Sequence, residues 1–266
     1  MDGIFKIILN FFNIIIQRQH SSKIPVILYH SVSNDFVDKK ISMDTKTFKK
    51  QMSIIKILGY KPITIDEYEQ IRLKNGYSKG LKILITFDDG YEDFFLYAYP
   101  ILLIHKFPAV VFLPTGFIGK KAKWLDKYSY LYEKKLLTWR QIQEIQNNRI
   151  SFCSHTATHS NLKSLDRNAL VFELSDSKAI LKEKLGKEVN ALSYPFSLHN
   201  GSVTNAAREC GYDIGFAVDT GDETNLSINR IECFQTDSIF RFILKISGFY
   251  NLLIKIRSWL IDRCYM

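Results

Sequence analysis

The chain has 266 residues, 46% of them hydrophobic and 24% charged, which is enough to bury one large core and too apolar for intrinsic disorder. Its four cysteines form no CxxC pair, which excludes a cysteine zinc knuckle, and they are too few for a disulfide-stapled scaffold. The formal charge is +9, but the basic residues are scattered as doublets such as Lys49-Lys50 and Lys134-Lys135; without a clustered, aromatic-interleaved stripe, nucleic-acid binding is the least favoured role.

The first element is an apolar run from Ile4 to Ile16, shorter than the roughly 20 residues that span a bilayer. It lacks the charged start and small-residue cleavage site of a secretory signal. Lys6, Asn10, Asn13 and Gln17 recur at helical spacing, so the run reads as an amphipathic helix. Strand-like and helix-like runs then alternate. Ile24–Tyr29 is a strand, and Thr45–Leu58 a helix capped by Asp44 or Thr45. Leu81–Phe87 is a strand, Phe94–His105 a helix and Ala109–Leu113 a strand. A Thr138/Gln141 capping box starts a helix to Gln146. Ile150–Cys153, Asn190–Ser193 and Gly215–Val218 are further strands, separated by helices Asp166–Leu185 and Ser202–Cys210. Ile228–Phe234 is the last strand. From Ser238 to Tyr265 a second amphipathic helix interleaves Phe242, Ile246, Leu253, Ile256 and Leu260 with Arg241, Lys245, Lys255, Arg257 and Arg263.

Repeated strand–helix units with continuously apolar strands predict a parallel sheet covered by helices, either a barrel or an open doubly wound sheet. One domain is expected over residues 23–236, flanked by helical segments 1–22 and 237–266. The two flanking helices can lie on an anionic membrane surface or cap the domain's own core.

Three polar clusters, Asp88-Asp89, Ser154–His159 and Tyr194–Ser197, directly follow strands, where ligand sites of parallel folds lie. TFDDGYED (86–93) offers Asp88 and Asp89, one free to hold a metal while the other faces water or substrate; a solvated Asp-Gly turn is the plain alternative. SHTATH (154–159) spaces His155 and His159 by four, which would bring both imidazoles onto one side of a helical turn. It is not HExxH, since Thr156 stands where that motif has its glutamate. An Asp-His-His set leaves coordination open for water, and the spare aspartate could take that water's proton. His30, just past the first strand, falls at the same end of the sheet; by itself it reads as a strand-end histidine bonded to backbone.

Taken together, IPVILYHSV (24–32), ITFDDGY (85–91), SHTATHSNL (154–162), LSYPFS (192–197) and AARECGYDIGFAV (206–218) resemble the polysaccharide deacetylase family, also called the NodB-homology domain or carbohydrate esterase family 4. The early YHSV resembles its exopolysaccharide-deacetylase branch. The resemblance implies a distorted (β/α) barrel with fewer than eight strands. It implies Asp88 as general base, with Asp89, His155 and His159 holding one divalent metal, zinc first, with cobalt or nickel as alternatives. It assigns His30 the general acid, reversing the plain reading, and the backbone N–H of Phe196 an oxyanion contact. Tyr194, Pro195 and Phe196 would bind substrate. Three departures stand out. Ser193 replaces an arginine that braces the catalytic aspartate in many relatives, leaving Arg230 as a candidate orienting residue. Ser197 replaces the glycine that often closes YPFG. A late Leu-x-His motif is missing, since no histidine follows His199.

The implied activity is metal-dependent removal of an N-acetyl group from an N-acetylhexosamine, in an envelope polymer or a lipid-linked sugar. A non-catalytic carbohydrate-binding protein on the same fold is the alternative, which loss of an aspartate or metal histidine would favour. The expected location is the bacterial cytoplasm, peripheral to the inner membrane, with export left open.

Overall fold

A computed structural model describes residues 24–35, 41–74, 80–125, 129, 131–146, 149–221 and 223–250. The expected helix over residues 1–22, and the part of the C-terminal helix beyond residue 250, lie outside these described residues.

Among the described residues there are eleven strands: β1 (Val26–Tyr29), β2 (Ser31–Val32), β3 (Ser42–Met43), β4 (Lys61–Pro62), β5 (Lys82–Phe87), β6 (Ala109–Leu113), β7 (Ile150–Ser154), β8 (Ala191–Ser193), β9 (Ile214–Ala217), β10 (Ile228–Asn229) and β11 (Ile231–Glu232). The helices are α1 (Thr45–Ile57), α2 (Ile65–Leu73), α3 (Tyr99–His105), α4 (Trp139–Ile145), α5 (Arg167–Leu185), α6 (Gly201–Glu209) and α7 (Ile239–Ile246).

The main sheet runs β10-β9-β8-β7-β6-β5-β1-β11, every pair parallel, with β4 added beside β5. Its two ends, β10 and β11, are halves of one extended run interrupted at Arg230. Asn229 pairs with Ala217 of β9, whereas Ile231 pairs with Ile27 of β1. The sheet therefore nearly closes on itself as a distorted barrel of eight strands, the two end ones being halves of one run, which is the barrel alternative of the sequence reading. Hydrogen bonds bracket the seam: Arg230 N–H donates to Ala217 O (2.9 Å) and Cys233 N–H to Leu28 O (3.1 Å).

The strands hold their places because they are buried on both faces, as the uninterrupted apolar runs of β5 and β6 require. Tyr29, Phe48, Phe87 and Phe94 form a connected ring cluster that ties α1 and the segment after β5 to the barrel, with centroids 4.8–5.8 Å apart. Helix starts follow the caps in the sequence: the Asp44 carboxylate accepts from Thr47 N–H (2.7 Å), and Thr138 and Gln141 form a reciprocal capping box. The run expected as one helix, Phe94–His105, opens instead with a π-helical turn over Phe94–Ala98 before α3. Helix α2 escaped the apolar periodicity because only Ile65 and Tyr68 are buried on it; its signal is the Thr64 hydroxyl accepting from Glu67 N–H (3.2 Å).

The C-terminal amphipathic run begins as part of the domain. Phe242, Ile243, Leu244 and Ile246 of α7 are buried, and α7 packs against α1. Lys245, expected among the outward-facing cations, is instead turned inward: its ammonium bonds Asp237 at 2.6 Å and the Glu232 carbonyl at 2.9 Å. No helix among the described residues is long and apolar enough to cross a membrane.

Candidate active site

Asp88 and Asp89 leave the carboxyl end of β5. Asp88 N–H donates to Tyr29 O (3.0 Å), extending the β1 ladder by one residue. The chain then turns sharply, with Asp89 at φ 70° and Gly90 at φ 62°; a Cβ on Gly90 would be strained at this φ and would lie 2.4 Å from a Leu113 methyl, forcing that side chain to shift. Aspartate tolerates this left-handed conformation better than most residues. Both carboxylates are buried, 3% and 6% exposed, which removes the solvated-turn alternative.

Asp88 is gripped from across the barrel. Arg230 donates to its two oxygens at 2.7 and 2.6 Å, a bidentate pair. Ser193 donates to Asp88 Oδ2 (3.0 Å) and accepts from the same guanidinium (2.8 Å). The serine that stands in place of an arginine thus serves as a hydrogen-bond bridge, while the positive charge comes from the seam residue. Burial pushes the Asp88 carboxyl up, but Arg230 and then His155 hold it below the usual carboxylate range.

His155 and His159 do not share a helical turn as their spacing suggested. They lie on an irregular loop in which Thr156 (φ 66°) and His159 (φ 58°) are left-handed, a costly state for β-branched threonine. Neighbours hold that loop. Thr115 N–H and Gly116 N–H donate to the carbonyls of Thr156 (3.1 Å) and Ala157 (2.8 Å). Thr158 N–H donates to the buried Glu173 carboxylate of α5 (2.8 Å), and Ser154 Oγ bonds Ser177 Oγ (2.8 Å). His159 N–H donates to Thr156 Oγ1 (3.1 Å).

Asp89, His155 and His159 converge, with one ligand atom of each within 4.8 Å of the others. His155 Nδ1 lies 2.7 Å from the Ser193 carbonyl, which can only accept, so the proton sits on Nδ1 and Nε2 presents a lone pair. That Nε2 is 3.4 Å from Asp89 Oδ1, and His159 Nε2 is 3.1 Å from the same oxygen. Asp89 Oδ1 is buried yet has no hydrogen-bond partner of acceptable geometry among the described residues. Lone-pair atoms converging in a buried space, one histidine already oriented by a carbonyl, fit a divalent cation with nitrogen and oxygen ligands. Burial raises the Asp89 carboxyl, but the two histidines hold it well below its ordinary value. Burial lowers the His155 imidazole, but Asp88 and Asp89 more than compensate and raise it. For His159, burial outweighs Asp89 and the pKa falls.

These groups open into a cleft of about 760 Å³ that His30, Trp124, Phe196 and Phe234 also line. Trp124, which no motif singles out, stacks on His159 with ring centroids 4.7 Å apart, while Phe196 meets the same imidazole edge-on at 4.7 Å. Of the three residues expected to bind substrate, Phe196 is 53% exposed. Tyr194 lines the cleft but is fully buried, its hydroxyl committed to Leu226 O (2.8 Å), and Pro195 is buried and does not line the cleft. Phe196 and Ser197 are both left-handed (φ 56° and 58°), and Ser197 Oγ accepts from Val218 N–H (2.9 Å), which ties the loop to the segment after β9.

The polysaccharide deacetylase family model matches residues 76–215, the stretch that carries the aspartate pair, the histidine loop and the Ser193 strand. The chain belongs to the polysaccharide deacetylase family. The YxkH protein of Bacillus subtilis (strain 168), named as a polysaccharide deacetylase, is 29% identical over 220 residues, 81% of this chain and 73% of that one. The poly-β-1,6-N-acetyl-D-glucosamine N-deacetylase of Staphylococcus aureus (strain MRSA252) is 24% identical, covering 80% of this chain and 74% of that one. The enzyme of the same name from Escherichia coli (strain K12) is 23% identical over 73% of this chain, but the match spans only 34% of the longer protein. Among solved structures, a Streptococcus pyogenes deacetylase, PplD, crystallised with acetate superposes with a TM-score of 0.74 at 24% identity, over 85% of this chain and 99% of that one. IcaB from Ammonifex degensii superposes at 0.67 with 18% identity, over 87% and 99%. These superpositions establish the shared barrel. As a polysaccharide deacetylase of the carbohydrate esterase 4 type, related to poly-N-acetylglucosamine deacetylases, this chain is a hydrolase of amide bonds.

Proposed function

We propose that the protein removes N-acetyl groups from N-acetylhexosamine units of a bacterial envelope glycan, with a β-1,6-linked N-acetylglucosamine polymer as the first substrate class and a lipid-linked sugar as the second. The observation that carries this reading is the division of labour between two adjacent aspartates. Asp88 is locked by Arg230 and Ser193, while Asp89 turns toward His155 and His159.

Asp88, held ionised and in one orientation, receives the proton of the attacking water. A divalent ion on Asp89, His155 and His159, zinc foremost, supplies when bound Lewis-acid polarisation and water activation. The Phe196 N–H faces the oxygen that gains charge as the amide carbon becomes tetrahedral. His30 delivers a proton to the amine nitrogen as the C–N bond breaks, so acetate and a free amino sugar leave. The aromatic walls of Trp124 and Phe196 suit the apolar faces of sugar rings. The enzyme works beside an anionic membrane surface, in keeping with the basic, apolar character of the chain's ends.

The test is acetate release by the zinc-loaded protein from soluble β-1,6-linked N-acetylglucosamine oligomers, other N-acetylhexosamine polymers and lipid-linked N-acetylhexosamines. Release from one class at rates at least tenfold above the others assigns the substrate. Tight sugar binding with no release from any of them would overturn the catalytic reading in favour of a binding protein.

A further inference from the structure

Among the described residues ten large hydrophobic side chains are exposed, and four of them, Ile57, Leu96, Leu103 and Ile104, lie on α1 and on the neighbouring run 94–105. α1 packs against both α3 and the π-helical turn before it. Over residues 94–105 the exposed positions are Leu96, Pro100, Leu103 and Ile104, spaced by four, three and one, so they form one stripe down the outer side. Ile104 is 73% exposed. The stripe holds no charged side chain, which is unusual for a solvent-facing helix of a barrel.

Its border is basic. α1 exposes Lys46, Lys49, Lys50 and Lys56 and contains no acidic residue; residues 94–105 contain none either, and Lys106 follows directly. Lys56 and Lys49 sit close enough to His105, at the end of the stripe, to help burial lower its imidazole pKa. A second copy of this chain docking by the same face would set lysines against lysines, and a neutral apolar partner would leave them unused. Anionic lipid satisfies both features, since headgroups meet the lysines while acyl chains receive the leucine and isoleucine tips.

We propose that the flank formed by α1 and residues 94–105 is a docking surface for an anionic bilayer. This deepens the membrane-surface part of the proposed function by moving attachment onto the folded barrel, away from the chain's ends. The stripe from Leu96 to Ile104 runs roughly 12 Å along the barrel side. The cleft opens at the carboxyl ends of the strands, so a side-on mount leaves its mouth free and directed along the membrane plane, where a glycan emerging from the surface can enter.

The experiment is flotation of the full-length protein with vesicles of phosphatidylglycerol and phosphatidylcholine, or phosphatidylcholine alone, at low salt. Three proteins are compared: wild type, the triple variant Leu96→Ser/Leu103→Ser/Ile104→Ser, and the charge reversal Lys49→Glu/Lys56→Glu. All substituted positions are exposed, and matching thermal melts establish that the variants fold. The expected result is selective binding of wild type to the anionic vesicles, reduced at least about tenfold by the serine variant. Charge reversal should reduce it by at least about fivefold per lysine. Wild-type retention in either variant would overturn the proposal by placing attachment elsewhere, including at the chain's ends. So would equal binding to both vesicle types, no binding to either, or a wild-type dimer that the serine variant converts to monomer. Acetate release from soluble oligomers by the same three proteins keeps the outcomes separate. Its loss in all of them would strike the deacetylase reading, whereas its retention with unchanged flotation would strike only the docking surface.

Discussion

Arg230 reaches Asp88 with two hydrogen bonds of 2.6 and 2.7 Å from the one residue at which the closing strand changes partner, from β9 on one side to β1 on the other. The ladder is interrupted there, and the residue at the interruption sends its guanidinium into the barrel. Barrel closure and orientation of the proposed base are therefore the same structural event.

Removing one member of this buried pair should be costly in stability and activity together. Arg230→Met leaves the Asp88 carboxylate buried without its counter-charge, a loss of about 3–5 kcal/mol. Adding Asp88→Asn in the same chain should recover part of that stability, because the stranded charge is gone, without recovering any activity. Urea unfolding of the single and double variants checks this. Equal destabilisation by both would show that the pair's charge is not what matters.

Asp88→Asn alone should lower turnover roughly 10²–10⁴-fold while metal content stays near wild type, since Asp88 is assigned to proton transfer. His155→Ala should lose metal and activity together. Metal analysis of both proteins after zinc loading decides the matter, and parallel metal loss would mean that both aspartates are ligands.

Gly116 carries no chemistry, yet a Cβ there would lie 2.8 Å from the Ala157 carbonyl, a backbone atom that cannot step aside. Gly116→Ala should push away the loop that holds His155 and His159, destabilising the fold by about 1–3 kcal/mol. Zinc affinity should weaken as well, read by competition with a chelating dye. Unchanged affinity would show that the loop is held from the α5 side alone.

Glu69 supplies a pH dependence outside the cleft. Burial, with Asp66 and Asp213, pushes its carboxyl up to about 7, against the pull of Lys178 and Lys187. The folded state thus binds more protons than the unfolded one between the ordinary glutamate range and pH 7. Its contribution to stability is complete below that range and is lost as pH rises through about 7. Glu69→Gln should flatten this loss and exceed wild type in stability at pH 8 by about 1 kcal/mol, once solvent screening of a half-buried group is allowed for, and so melt at a higher temperature. Melting curves at pH 5 and pH 8 measure it, and parallel pH slopes in both proteins would exclude Glu69 as the source.

Local sequence determined what depends on neighbours in the chain. The double-sided apolar runs of β5 and β6 required a parallel sheet, Asp44 and Thr138 marked helix starts, and the clusters at 88–89 and 155–159 named the chemistry, because strand ends and short motifs are read over a few residues. Three matters were decided only by the tertiary structure. The choice of a closed barrel rests on one run, residues 228–232, pairing with strands from opposite ends of the chain. The convergence of His155 with His159 rests on left-handed backbone at Thr156 and His159, in a loop that accepts a hydrogen bond from Gly116 N–H and donates to Glu173, where spacing alone suggested a helical turn. The fate of Lys245 is the third: its place in an amphipathic pattern predicts an outward charge, but Asp237, buried beside it, turns that charge inward. In each case the deciding contact joins residues or strands that the sequence's own periodicity does not bring together, and periodicity carries no information about such partners.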